Sequence, residues 1–402
     1  MVDSTLLPCK MSIESTMDKK IKRNLAGLAL VACVMPLQAS VMTEAGSAYA
    51  LHQTTQTEQQ KPKNQLLRSK KKAFFKTEEA RRVGDQVLLW QRDTGGWPKN
   101  VDMESPMTEE QKQQVLADKK RKDDSTTDNK ATSMQMYYLA RLYQATGDHR
   151  YQKGFCKAVD YLLSGQYDNG GWPQFWPGQR DYQVHITFND DAMVNTMEVL
   201  RDVYEGKAPF DGNLTSDKLK KKAKKAFDKG VECILKTQIR NPKPTVWCQQ
   251  HDYKTFLPTK ARAYELPSYC SQESAYIVRL LLSLPNPDDR VKEAVHGAMA
   301  WFEQHKITGK RLVVKKDAKG KKVDVQLVDD PNGHPLWARY YDLEKGEPYV
   351  CDRDGVPRKH LEEIGVERRT GYSWYDNERL EEIYPLYEAW KNQYDPEGGV
   401  MQ

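Results

Sequence analysis

From Glu78 onward, apolar residues recur at intervals of three and four, a spacing that puts one greasy stripe along each of a series of helices. The pattern predicts helices over about 78–92, 130–146, 151–165, 190–205, 217–237, 271–283, 289–305 and 376–391. It breaks twice. Between Lys310 and Val328 apolar and polar residues alternate, as RLVVKK and KVDVQLV around Asp317-Ala318-Lys319-Gly320, which predicts a β-hairpin. Residues 337–373 are dense in aromatic, Arg and Asp side chains with no steady period, and read as long irregular structure of the kind in which sites are built.

A repeat sits on this pattern. Gln91 to Pro98 reads QRDTGGWP, and Gln166 to Pro173 reads QYDNGGWP, each directly after a predicted helix. The glycine pair supplies left-handed backbone for a turn, the indole can be buried, and the Gln amide can satisfy backbone groups exposed at a helix end. A looser third copy, without the glycines, spans Leu235 to Trp247. One unit of helix, turn and helix used several times implies stacked hairpins, either a solenoid or an α/α toroid.

Composition changes this picture little. A net charge of +6 on 402 residues is modest. The run of lysines from Lys218 to Lys229 has Leu219, Ala223 and Phe227 at four-residue intervals, so it reads as the solvated face of an amphipathic helix, and no nucleic-acid partner is expected. Ahead of the helices, Lys19, Lys20, Lys22 and Arg23 precede an apolar run from Leu25 to Leu37, the order of an export signal whose start could be Met17. Two outcomes stay open: cleavage near Ala48-Tyr49-Ala50, giving a secreted or periplasmic protein, or lipidation of Cys33 in the box Leu30-Val31-Ala32-Cys33, giving an outer-membrane lipoprotein. The expected domains are therefore an export segment to residue 50, a polar tether over 51–77, a helical body over 78–394 and a short tail over 395–402. Five cysteines in the body, at wide irregular spacing, indicate neither a zinc motif nor a disulfide framework, and at most one or two bridges.

Candidate chemistry lies at the predicted helix starts. Asp128-Asn129 and Asn189-Asp190-Asp191 each open a helix, where a carboxylate ordinarily caps backbone N–H groups. Equivalent helices of a hairpin array begin at the same end, so Asp128 and Asp190 are expected on one face, together with Arg262 ahead of the helix that starts at Ser271. Oxygen donors of this kind suit calcium, while arginine forks and aromatic faces suit an anionic sugar chain.

Taken in order, DNKATSMQM, GGWPQFWP, ITFNDDAM, VWCQQHD, ARAYELPS, PLWARYYDL and CDRDGVPR resemble the motifs of the family 10 pectate lyases over roughly residues 78–394. Phe188 in ITFND and Leu266 in ARAYELP depart from the familiar pattern, and neither removes an acid or a base. The resemblance implies a mainly α fold, an α/α toroid left incomplete as a barrel. It also implies calcium-assisted anti β-elimination of polygalacturonate, with Arg262 at the position of the catalytic base and Asp128 and Asp190 at those of the calcium-associated acids. An arginine base is awkward, because a guanidinium ordinarily stays protonated. Lys99, Arg339 and Arg353 are candidates for carboxylate recognition, and Tyr340 and Tyr372 for stacking on sugar rings. His251 is read as a hydrogen-bonded scaffold residue and Trp172 as packing. A monomer is expected. Three other readings are kept beside the lyase: a glycoside hydrolase on an α/α scaffold, a non-catalytic pectin-binding protein, and a terpene cyclase suggested by the acids at 123–128, against which the export signal weighs.

Overall fold

The structure is a computed structural model that describes residues 64–397. The export segment, Cys33, the first part of the tether and the last five residues lie outside the described residues. Eleven helices are described: α1 (Glu78–Trp90), α2 (Glu109–Ala117), α3 (Ser133–Thr146), α4 (His149–Ser164), α5 (Ala192–Glu205), α6 (Asp217–Thr237), α7 (Ser271–Leu282), α8 (Asp289–Gln304), α9 (Val366–Gly371), α10 (Glu378–Glu381) and α11 (Ile383–Tyr394). Most of the expected helices appear within a few residues of their predicted bounds. The span 376–391 is instead broken at Glu382 into α10 and α11, and the short capped helix α2 was not expected.

Two layers of helices build the body. α3, α5, α7 and α11 pack side by side in one, α1, α4, α6 and α8 in the other, and α3–α4, α5–α6 and α7–α8 are hairpins joining the layers. The arc does not close, so this is the incomplete α/α toroid that the motifs implied. At the other end of the array, the repeat makes the connection. In each copy the indole Nε1 donates to a carbonyl in the last turns of the preceding helix: Trp97 to Val87 at 2.7 Å, Trp172 to Leu162 at 2.8 Å and Trp247 to Ile234 at 2.7 Å. The Gln side chain bridges its own turn to the next outer helix, Gln91 to Gly154, Gln166 to Ala226 and Gln238 to Ala294. The looser third copy is therefore real. A fourth, hidden in the sequence by an intervening hairpin, has Trp337 donating to Phe302 at 2.8 Å.

Gly95 and Gly170 show why the turn wants glycine. Both have positive φ, +102° and +95°, and a Cβ on either would stand 2.5 Å from the Lys157 carbonyl oxygen or 2.1 Å from that of Lys229. The turn thus lies against the backbone of the neighbouring outer helix, which a side chain would push away.

The predicted hairpin is present as β4 (Lys310–Lys316) paired with β5 (Lys322–Asp329). The irregular region contains more order than its composition suggested. β3 (Tyr269–Cys270), β7 (Tyr340–Tyr341), β8 (Pro348–Cys351) and β9 (Pro357–Arg358) form one small antiparallel sheet, with β1 (Ile186–Thr187) on β2 (Gln250–His251) and β6 (Trp337–Ala338) on β10 (Tyr375–Asp376) as short pairs beside it.

The expected boundaries need correction at both ends. Leu67 and Phe75, assigned to the polar tether, are buried, and Phe75 meets Tyr138 of α3 at 5.2 Å between ring centroids, so the folded body includes at least residues 64–77. Asp395, assigned to the tail, accepts from or shares a proton with His296 at 2.7 Å. All five cysteines of the body are free thiols. Among the described residues no helix is long and apolar enough to cross a membrane.

Candidate active site

The turns between layers place the chemistry. Trp97, Trp172 and Trp247 each use their main-chain oxygen to hold the strand that leads to the next inner helix, accepting from Thr126, Thr187 and Cys270 at 2.9–3.1 Å. The segments so held carry Asp128, the run Asn189-Asp190-Asp191, and Glu273. Neither Asp128 nor Asp190 is a helix cap, in contrast to the expectation. Each lies in a separate 3-10 turn (Asp128–Lys130 and Asn189–Asp191) ahead of its helix, and neither the Thr132 nor the Asp191 side chain caps the helix that follows. Both turns are strained: Asn129, Lys130 and Thr132 in one, Asp190 and Asp191 in the other, all have φ between 50° and 63°. Left-handed backbone at such residues costs on the order of 1–3 kcal/mol each and is tolerated where it aims a functional side chain.

What it aims are two carboxyls at each other. Asp128 is fully buried and hydrogen-bonded to Asp190, while its Oδ2 accepts from Lys99 Nζ and, at 3.0 Å, from Gln174 Nε2. Burial opposes the Asp128 charge, but Lys99, the bond from Asp190 and the nearby Arg262 hold it below the usual carboxylate range. Burial together with the Asp128 charge pushes Asp190 the other way, up to about 6, so the two carboxyls titrate apart. Burial also works against the Lys99 ammonium, and Asp128, reinforced by Asp190, more than offsets it.

Arg262 faces this pair from the loop before α7. Its guanidinium is ion-paired with the buried Glu265, with Nε donating at 2.8 Å. Burial disfavours the charge, and Glu265 outweighs burial, so the proton is held more tightly than on a free arginine. Glu265 also accepts from the Tyr372 hydroxyl at 2.7 Å. Around them arginines and tyrosines interleave. Arg262 lies 4.9 Å from the Tyr264 ring centroid, Arg368 4.6 Å from the same ring, and Arg339 4.6 Å from that of Tyr372.

Lys99, Asp128, Asp190, Arg262 and Tyr372 thus come to one place. Two expected substrate contacts do not. Tyr340 has no exposed surface: it packs against Tyr349, Tyr372 and Trp374, so no sugar can stack on it. Arg339 is buried, paired to Glu273 and donating to Asn189 at 2.9 Å, so it braces the acid turn against α7 and is not free to grip a substrate carboxylate. Arg353 remains in solvent at the edge, paired with Glu367 at 3.1 Å and 5.9 Å from the Tyr264 ring. His251 is a scaffold residue: its ring accepts the Cys248 N–H at 3.0 Å, bonds the Phe256 carbonyl at 2.8 Å, and is pushed down to about 4 by burial.

The sequence reading missed Glu265, Gln174 and Tyr182. Glu265 stands three residues after Arg262, a spacing that pairs them across one turn, and that signal was available. Gln174 lies within the GGWPQFWP motif, which gave it no role, and Tyr182 carried no signal, because only the fold brings their segment over Asp128. A separate groove of about 410 Å³ between α4 and α6 is lined by Lys222, Lys225 and Lys229 and holds none of this constellation.

Residues 91–381 match the family model of the pectic acid lyases. The chain belongs to that family. Two solved structures agree: family 10 polysaccharide lyase from Cellvibrio cellulosa (33% identity, TM-score 0.68, 79% of this chain and 95% of that one) and an Asp-to-Ala mutant of that enzyme in complex with trigalacturonic acid (33%, TM-score 0.67, 79% and 93%). No curated protein matches. Membership of the pectic acid lyases makes the chain a polysaccharide lyase, and the paired carboxyls beside a lysine and an arginine are where its chemistry is to be sought.

Proposed function

We propose that the chain cleaves α-1,4-polygalacturonate by calcium-assisted anti β-elimination, leaving 4,5-unsaturated oligogalacturonates, with Arg262 taking the C5 proton. The observation that carries this is the buried carboxyl pair Asp128–Asp190 set between Lys99 and Arg262. The C5 hydrogen lies α to a carboxylate, so its removal builds enolate-like charge that only nearby cations can stabilise. Lys99 supplies one from the chain, and Arg262 becomes a second as it takes the proton.

The donors fit calcium. Asp128 Oδ1 and Gln174 Oε1 are buried oxygens with no hydrogen-bond partner, and the two neighbouring carboxyls oppose each other's ionisation, which a cation between them would relieve. Among the described residues no third acid, His or Cys completes a cage. Asp128, Asp190 and Gln174 would therefore hold the ion, and the remaining positions fall to water and the substrate carboxylate. When bound, calcium would neutralise that carboxylate and make the C5 hydrogen more acidic.

For Arg262 to accept a proton, its pair with Glu265 must open and the guanidinium must first lose one proton to solvent. Tyr372, already bonded to Glu265, offers that carboxylate another partner, and Arg368 close by disfavours a second positive charge. The strength of the Glu265 pair also favours a second reading, in which Arg262 stays a guanidinium and only stabilises the developing charge. A rate that climbs with pH to the alkaline limit of folding supports the base; a flat profile supports the fixed cation.

Lys99 and Arg353 are the carboxylate-binding side chains, and the exposed part of Tyr372 meets the sugar. The export segment assigns the activity to the cell exterior or envelope, with the monomer either free or anchored at Cys33. The test is ultraviolet absorbance of the unsaturated product from polygalacturonate. The reading predicts a signal that chelator abolishes and calcium restores; saturated ends would instead identify a hydrolase, and binding without product a pectin-binding protein.

A further inference from the structure

We propose that Tyr182 is a catalytic residue of the elimination, the acid whose phenol protonates the leaving O4 oxygen; this rests on the lyase reading above. Tyr182 belongs to a 3-10 turn (Asp181–Val184) in the long connection between Trp172 and α5. That turn is fastened over the acid pair. Gln174 takes the Gln183 carbonyl with its main-chain N–H at 3.1 Å and reaches Asp128 with its side-chain amide at 3.0 Å, so one residue spans both turns. Arg180 is tied to Asp123 at 3.3 Å on the other side, and Asp181, directly before the tyrosine, has φ of 47°, a left-handed backbone that sets where the next side chain points.

The phenol so placed lies within electrostatic reach of Lys99, Arg262, Asp128 and Glu265, the groups that surround the reacting carbons in the mechanism above. It is half-buried, and its hydroxyl has no hydrogen-bond partner among the described residues. Tyr372 is committed to Glu265 and Tyr340 to Tyr372. The hydroxyl is reachable from solvent and uncommitted within the protein, so it is open to a ligand. Burial raises its proton affinity, and Lys99 and Arg262 offset this only in part, so the proton stays on at the alkaline pH that favours elimination.

The elimination needs such a group. As the C5–H electron pair becomes the second bond between C4 and C5, the C4–O4 bond breaks and its electrons go to O4, which would leave as an alkoxide. Transfer of the phenol proton to O4 releases it as an alcohol. The phenolate then regains a proton through water, matching the one removed from C5. Lys99 holds its proton in the pair with Asp128, and Arg262 is the group that takes the C5 proton.

The test is Tyr182→Phe in the full chain. Because the hydroxyl bonds nothing in the protein, thermal unfolding should change by less than about 2 °C, whereas kcat on polygalacturonate should fall by about 10²–10³-fold with KM within about twofold. On a galacturonide carrying fluoride at C4, a leaving group that needs no proton, the variant should come within about tenfold of wild type. Wild-type kcat in Tyr182→Phe overturns the proposal, as does an equal loss on both substrates. A Tyr182→Ala variant that raises KM while Tyr182→Phe is unimpaired would show that the ring only stacks. Absence of unsaturated product from the wild-type protein would instead sink the lyase reading itself.

Discussion

Replacing Asp191 with Asn should make the protein more stable in alkali. The residue is 7% exposed, its Oδ1 has no hydrogen-bond partner, and the cation that reaches it, Arg379, stands 3.9 Å away, at the limit of an ion pair. Burial, relieved only in part by Arg379 and aggravated by Glu273 and Asp190, pushes the carboxyl up to about 7. Against an ordinary aspartate near 4 that is about three decades in proton affinity, or about 4 kcal/mol at 1.36 kcal/mol per decade. The sign follows from proton counting. Between about pH 4 and 7 the folded protein holds a proton that the unfolded chain has released, so stability falls as pH rises through that window and levels off above it. Asn keeps the shape and removes the charge, while its amide hydrogens need partners that the acid did not, a cost of about 1–2 kcal/mol. A net gain of about 2–3 kcal/mol is expected near pH 8, or roughly 3–4 °C in Tm. Near pH 5 only about one of the three decades has been titrated, and the charge term shrinks to about a third. Thermal unfolding in chelator at both pH values measures this. Equal melting at pH 8, or a loss at both, would mean that Arg379 compensates the charge and that the burial argument is wrong. The variant should also keep its thermal response to calcium, since Asp190 and not Asp191 meets Asp128; a lost response would transfer the cation site to the second acid.

Arg262→Ala should lower elimination by about 10³-fold or more while polygalacturonate affinity, measured by titration calorimetry, stays within about threefold; substantial turnover would end its role at the reacting carbon. Asp128→Ala leaves Lys99 without its carboxylate and Asp190 without its partner, and should flatten the dependence of both rate and Tm on calcium, so an unchanged chelator titration would contradict the cation site. Trp172→Ala removes a buried indole and its bond to Leu162, and is expected to cost about 3–5 kcal/mol in denaturant unfolding. Its kcat and KM should hold at temperatures where it is folded, and a change in substrate preference would move the indole into the site.

How far these assignments could be read without coordinates depended on whether sequence distance matched structural distance. The Gln and Trp of each repeat act within one turn or between a turn and the helix before it, so their spacing betrayed them twice outright and once in a looser form. The fourth copy uses the same indole-to-carbonyl bond, yet Trp337 lies 35 residues from Phe302 because β4 and β5 intervene, and no periodicity survives such an insertion. The acids were placed on the right face for an inexact reason. Equivalent inner helices do begin at one end, but the carboxyls sit in strained turns ahead of them, which is what allows Asp128 and Asp190 to meet instead of each capping its own helix. Arg339 and Tyr340 show the converse limit. Composition marks an arginine and a tyrosine in a loop as available to an anionic sugar, whereas the fold turns both inward, where Arg339 binds Glu273 and Asn189 and so fixes the backbone of the turn that presents Asp190. Their contribution is therefore indirect. A guanidinium locked in place 4.6 Å from the Tyr372 ring positions the phenol that competes with Arg262 for Glu265, and through that competition a residue that touches no substrate can set how readily Arg262 is freed.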